Sequence, residues 1–128
     1  MNKSLEIWHE VVGKGKAEKL PEIIAEDCVF LSPVVHTPQE GKAITIAYLS
    51  AAAEVLSDGF HYVKEIVDGN HAVLEFVCNI DGVTVNGVDI ISFNEEGLIK
   101  EFKVMVRPLK GMQVVHQKMA EMLAAMQQ

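Results

Sequence analysis

From Phe60 to Pro108 the chain runs in long stretches of alternating apolar and polar residues, broken at "DGN", "DG" and "EEG". Period-two alternation marks half-buried strands, and short turns containing Gly join such strands as hairpins. Four strands in succession predict an antiparallel meander, and one of its faces has to be covered.

The cover comes from the flanking segments. "SLEIWHEVV" opens on a capping residue, Ser4, and sets Leu5, Trp8, Val11 and Val12 at helical spacing before "GKG" stops it. "AEKLPEIIAEDC" places Leu20, Ile23 and Ile24 on one face of a short second helix, with Pro21 tolerable only near a first turn. "CVFLSP" reads as a brief strand and "VVHTPQEG" as a loop. "KAITIAYLSAAAEVLSDG" is a third helix, with Ile46, Leu49, Ala53 and Leu56 on one stripe and Gly59 at its end. "KGMQVVHQKMAEMLAAMQQ" closes the chain as a last helix, its Met112, Met119, Met122 and Met126 assigned to packing. Helices grouped apart from a meander define an α+β fold with helices on one sheet face. Residues 1–128 are expected to form a single domain, since no repeat or linker divides them.

Eleven Lys and Arg against 18 Asp and Glu give a net charge of -7. That charge repels phosphate backbones and anionic lipid, so no nucleic-acid or membrane partner is expected. "MNKSLEIWHE" carries charges where a signal peptide needs an apolar core, and no later run approaches the ~18 apolar residues that span a bilayer. The expectation is a cytoplasmic protein. Cys28 and Cys78 lie in apolar strand contexts and are assigned to packing as reduced thiols. His9, His36, His61, His71 and His116 show none of the close pairings of a zinc site, so no metal and no cofactor are expected.

Parity picks the buried sheet face, because residues two apart in a strand point the same way. In "HAVLEFVCNI" the apolar set is Ala72, Leu74, Phe76, Cys78 and Ile80; in "IKEFKVMVRP" it is Phe102, Val104 and Val106. Between them, "VTVNGVDIISF" puts Val85, Gly87, Asp89, Ile91 and Phe93 inward. Asp89 is therefore a carboxyl among apolar side chains. Two readings stand: a partly buried carboxylate accepting hydrogen bonds at a sheet edge, or a desolvated acid whose raised pKa keeps a proton near neutral pH. In the second, no Lys or Arg on the adjacent inward faces opposes desolvation. Asp89 is then predominantly protonated at neutral pH and donates to a ligand, for which Gly87 leaves room. On the other face Val73, Val77, Val88 and Ile90 form an apolar patch that predicts a homodimer. Arg107 belongs to that outer set and is expected to pair with Glu101 or a partner subunit.

The order helix, helix, short strand, helix, long meander, with "VFLSPVVHTPQEG" and "GVDIISFNEEGLIKEFKV", resembles the NTF2-like superfamily over nearly the whole chain, in particular its SnoaL-like and ketosteroid-isomerase-like members. The resemblance implies a cone: a curved antiparallel sheet wrapped around N-terminal helices, enclosing an apolar pocket lined by residues such as Leu74, Phe76, Phe102 and Val104. It also implies pairing through the outer sheet face. The fold hosts isomerases, cyclases, dehydratases, hydrolases and binding modules, so it selects no activity by itself.

Ketosteroid isomerases use a neutral Asp as a donor in an oxyanion hole, and Asp89 matches that position. The same matching puts Ser32 where the isomerase has its basic Asp, and an unassisted hydroxyl is too weak an acid to serve. It puts Trp8 where the isomerase has a donor Tyr; an indole N–H donates but cannot shuttle a proton. Epoxide hydrolases of this fold use an Arg two residues before the matching Asp and a second Asp on the last strand, where Gly87, Phe102, Val104 and Val106 stand here. SnoaL-like cyclases, which use a pocket acid, remain compatible. The resemblance sets His36 near the pocket mouth as a candidate base facing Asp89, and Tyr48 is a candidate phenolic donor. The expected function is acid–base chemistry of the isomerase, cyclase or lyase type on an apolar, carbonyl-bearing small molecule, with Asp89 and Trp8 or His36 polarising the carbonyl. A non-catalytic binding module and a protein–protein adaptor are the alternatives.

Overall fold

The computed structural model describes residues 2–126. Helix α1 (Lys3–Lys14) is capped by Asn2, whose Oδ1 accepts the Leu5 N–H at 3.1 Å, and not by Ser4. Ser4 instead donates to the Gly97 carbonyl at 2.7 Å, tying the helix to the turn before the last strand. Gly15, at φ 66, ends the helix as the "GKG" signal predicts. The expected second helix is only a 3-10 segment, Ala17–Glu22. Pro21 brings no N–H to continue an α-helix, and the β-branched Ile23 and Ile24 favour extended backbone. Strand β1 therefore begins upstream of Cys28 and spans Ile24–Leu31.

Within the predicted loop, β2 (Gln39–Glu40) pairs antiparallel with β1. Helix α2 (Lys42–Val55) buries Thr45, Leu49 and Ala51. The meander follows as β3 (His61–Asp68), β4 (His71–Ile80), β5 (Val83–Phe93) and β6 (Ile99–Arg107). Helix α3 (Leu109–Met126) packs on α2 and on β5 and β6; the expected helix also took in Gln127 and Gln128, which lie outside the described residues. The sheet order is β2-β1-β6-β5-β4-β3. It is the curved α+β architecture expected, antiparallel except where β1 runs parallel to β6.

Parity holds across the sheet centre. Leu74, Asp89 and Val104 sit side by side on three adjacent strands, all buried on the helix-covered face. It breaks in β3, where Tyr62 pairs with Phe76 but Lys64 pairs with Glu75, leaving Val63 as an extra residue. A one-residue bulge reverses which face every residue beyond it presents. Tyr62 consequently joins Glu65 and Val67 on the inner side.

On the outer face Val73, Val77, Val88 and Ile90 are half-buried, and Ile66 and Met105 beside them are 54% and 49% exposed. Arg107 donates to Asn86 Oδ1 at 3.3 Å and not to Glu101. Asn86 is its direct cross-strand partner, whereas Glu101 faces Ser92. Cys28 and Cys78 are free and buried. Among the described residues no helix is long and apolar enough to cross a membrane.

Candidate functional site

Between the inner sheet face and helices α2 and α3 lies a cavity of about 180 Å³. Its wall is built by aromatic contacts: Phe30 stacks on Tyr48 with centroids 5.1 Å apart, and Trp8 meets Phe102 edge-on at 4.8 Å. Val104 and Val106 of β6 and Val115, Met119 and Leu123 of α3 add aliphatic surface. Asp89 also lines this cavity although the residue is only 4% exposed.

A three-member hydrogen-bond chain fixes the carboxyl. Trp8 Nε1 donates to the Tyr62 hydroxyl oxygen at 2.8 Å, and the Tyr62 hydroxyl donates to Asp89 Oδ2 at 2.6 Å. An indole has only a donor, so the Tyr62 oxygen must accept from Trp8 and spend its single proton on Asp89. The chain thus has one direction. Oδ2 is committed as an acceptor, and any proton Asp89 carries sits on Oδ1. Oδ1 has no partner among the described residues and is not sealed away, so it opens on the cavity.

Burial is the main reason that the Asp89 pKa rises from 3.8 to about 7; donation from Tyr62 partly opposes it. With a pKa of about 7, the neutral form persists far above the ordinary carboxylate range, up to near neutral pH. Burial also pushes the Tyr62 hydroxyl well above its ordinary range, reinforced by the neighbouring Asp89 carboxylate and offset by Trp8. The Tyr62 ring is held edge-on between Phe60, at 5.1 Å, and His9, at 5.5 Å. His9 is in turn anchored by Glu65, with Nε2 and Oε1 2.6 Å apart.

Of the residues singled out in the sequence, Trp8, Ser32, Tyr48, Phe102 and Val104 meet Asp89 at this cavity. Leu74, Phe76 and Gly87 do not line it. The space over Gly87 belongs to Phe76: a Cβ there would lie 2.7 Å from Phe76 Cε2 and 2.9 Å from the Met105 carbonyl oxygen. Glycine at this position admits a core ring, not a ligand. Trp8 has its N–H occupied by Tyr62 and offers the cavity a ring face only.

His36 is exposed and lines a separate outer groove with Pro38, Lys103 and Met105. The cause is a turn in which Ser32 Oγ accepts the N–H groups of Val34 and Val35 at 3.1 and 3.3 Å. That turn brings Val34 and Val35 to the cavity and carries His36 past it. The Ser32 hydroxyl still has its own proton to donate, and the residue lines both the cavity and the outer groove. The last helix splits its methionines: Met119 lines the cavity, Met112 the outer groove and Met122 a third depression near Asp58 and Asp81.

Two side chains escaped the sequence reading. Tyr62 is hidden by the β3 bulge. His116 lines the cavity, and its spacing from Met119, Ala120 and Leu123 was there to be read. Among the described residues no group of three or more His, Cys, Asp or Glu side chains is placed to hold a metal ion.

A profile of the SnoaL-like domain family matches residues 5–102. The structure superimposes with a TM-score of 0.91 on a steroid delta-isomerase from Pseudomonas aeruginosa, 32% identical, over 95% of this chain and 90% of that one. A protein conserved in bacteria with a cystatin-like fold, from Silicibacter pomeroyi DSS-3, is 31% identical with a TM-score of 0.87, over 94% of this chain and 85% of that one. An NTF2-like protein of unknown function from Mesorhizobium loti shares the fold at 24% identity and a TM-score of 0.73, over 83% and 89% of the two chains. Among curated proteins none matches the chain.

Proposed function

Because the chain belongs to the SnoaL-like domain family, within the NTF2-like superfamily, we propose that its cavity binds a compact apolar molecule bearing an acceptor oxygen and that Asp89 acts on that oxygen as an acid–base group. The observation that carries this reading is the one-way chain from Trp8 through Tyr62 to Asp89. It reserves Oδ1 for the cavity in both protonation states. Neutral Asp89 donates to a carbonyl and polarises it, which acidifies the adjacent C–H bonds. Ionised Asp89 accepts a proton through the same oxygen. A pKa of about 7 makes both forms available near neutral pH. Isomerisation, cyclisation and elimination next to a carbonyl all draw on that chemistry.

The cavity volume supports a ligand smaller than a steroid. An apolar cavity of ~150 Å³ takes up benzene, so about 180 Å³ suits one ring better than four fused rings. Ser32, at the place the resemblance gives to the isomerase base, has its oxygen occupied by two backbone N–H groups. Steroid isomerisation is therefore not carried over to this chain. A thermal-shift screen of one-ring ketones, run on the protein and on Asp89→Ala, tests the proposal. Ketones should stabilise the protein and lose that effect in the variant; equal shifts in both would refute a role for Asp89.

A further inference from the structure

Resting on that reading of the cavity, we propose that His116 anchors a second acceptor on the ligand, so that the natural ligand is a one-ring molecule with acceptor oxygens at opposite ends. His116, Met119, Ala120 and Leu123 stand at i, i+3, i+4 and i+7 on α3, and all four line the cavity. That spacing gathers side chains on one helix face. The other three are apolar, so His116 is the polar group that this face presents to the cavity. It enters no ion pair among the described residues.

Ser32, Tyr48 and Ser57 also line the cavity, but burial distinguishes Asp89 and His116 sharply. Asp89 is nearly enclosed, at 4% exposed, while His116 is exposed to solvent. Phe102, Val104 and Met119 supply apolar wall in the same cavity. A ligand whose carbonyl reaches Oδ1 therefore lays an apolar ring against that wall and points its far end toward α3. An imidazole keeps at least one N–H donor whether neutral or protonated. The group it recognises is an acceptor, and a carboxylate makes the stronger hydrogen bond.

Two matched probes test this. p-Methylacetophenone has a carbonyl and a methyl at opposite ends of one ring; p-acetylbenzoate replaces the methyl by a carboxylate. By calorimetry, p-acetylbenzoate should bind the protein about tenfold more tightly, the effect of one hydrogen bond to a charged group. His116→Leu should remove the preference for p-acetylbenzoate, so that the ratio of the two affinities falls to about one. Circular dichroism and the urea midpoint of the variant show separately that it is folded. His116→Gln, which retains an N–H donor, should keep most of the preference. Equal binding of both probes by the unmodified protein, or a preference that survives His116→Leu, overturns the role of His116 and leaves the cavity reading intact. Failure of both probes to bind overturns both.

Discussion

Asp89→Asn separates the charge of this side chain from its shape. The amide oxygen still accepts from Tyr62, and the amide N–H still faces the cavity, so the variant should fold as the parent does. Unfolded, the carboxyl ionises near 3.8; folded, burial holds its proton to about 7. At pH values below both, the group is neutral in both states and favours neither. As pH rises past 3.8 the unfolded chain releases this proton while the folded chain keeps it, so stability falls. The fall stops above about 7, where the folded carboxyl ionises as well. At about 1.4 kcal/mol per pH unit, the interval corresponds to a penalty of about 4 kcal/mol. Roughly 2 to 3 kcal/mol of it develops between about pH 5 and about pH 8. Urea denaturation of both proteins at those two pH values provides the assay, because the other carboxylates cancel in the difference. The variant should gain on the parent by that amount as pH rises. A difference that stays constant, or changes with the opposite sign, refutes the claim that Asp89 is desolvated.

Tyr62→Phe leaves the Trp8 N–H without its acceptor and removes the donor that holds the Asp89 pKa down. It should cost about 1–3 kcal/mol by chemical denaturation and move the Asp89 carbon NMR titration to higher pH. Gly87→Ala drives a methyl into Phe76 and into the Met105 carbonyl; overpacking of this kind costs about 1–3 kcal/mol, readable as a lowered denaturation midpoint. We also propose that the outer face, with Ile66, Val73, Val88 and Met105, pairs two copies of the chain. Sedimentation equilibrium at micromolar concentration should return a dimer, and a monomer throughout would exclude it.

The meander was legible because β4 and most of β5 and β6 keep alternation, and alternation alone put Asp89 on the inner face beside Leu74 and Val104. Tyr62 was not legible. Counting back by twos from Val67 and Glu65 sets Val63 inward and Tyr62 outward, and only the register slip between Tyr62 and Lys64 reverses them. Bulges follow from how two strands fit together, which neither strand records by itself. Gly87 was misread for a related reason: parity shows an empty place on a face but not which neighbour fills it, and here Phe76 does. The His36 position depends on a side-chain-to-backbone turn at Ser32, a local competition that a loop assignment does not resolve. His116 was not legible because the methionines of α3 read as packing, although Met119 shares its face on the cavity.

Whether Asp89 donates a hydrogen bond into the cavity can be read from the carbonyl stretch of bound p-methylacetophenone. Infrared difference spectra at about pH 5, where a carboxyl with a pKa near 7 is neutral, should show the stretch displaced to lower frequency than in an apolar solvent. In Asp89→Leu, at a ketone concentration raised to offset its weaker binding and with the free-ketone band subtracted, the stretch should return to the apolar-solvent value. A ketone bound to the unmodified protein with an unshifted stretch, or a bound-state shift that persists in Asp89→Leu, would show that Asp89 makes no such hydrogen bond.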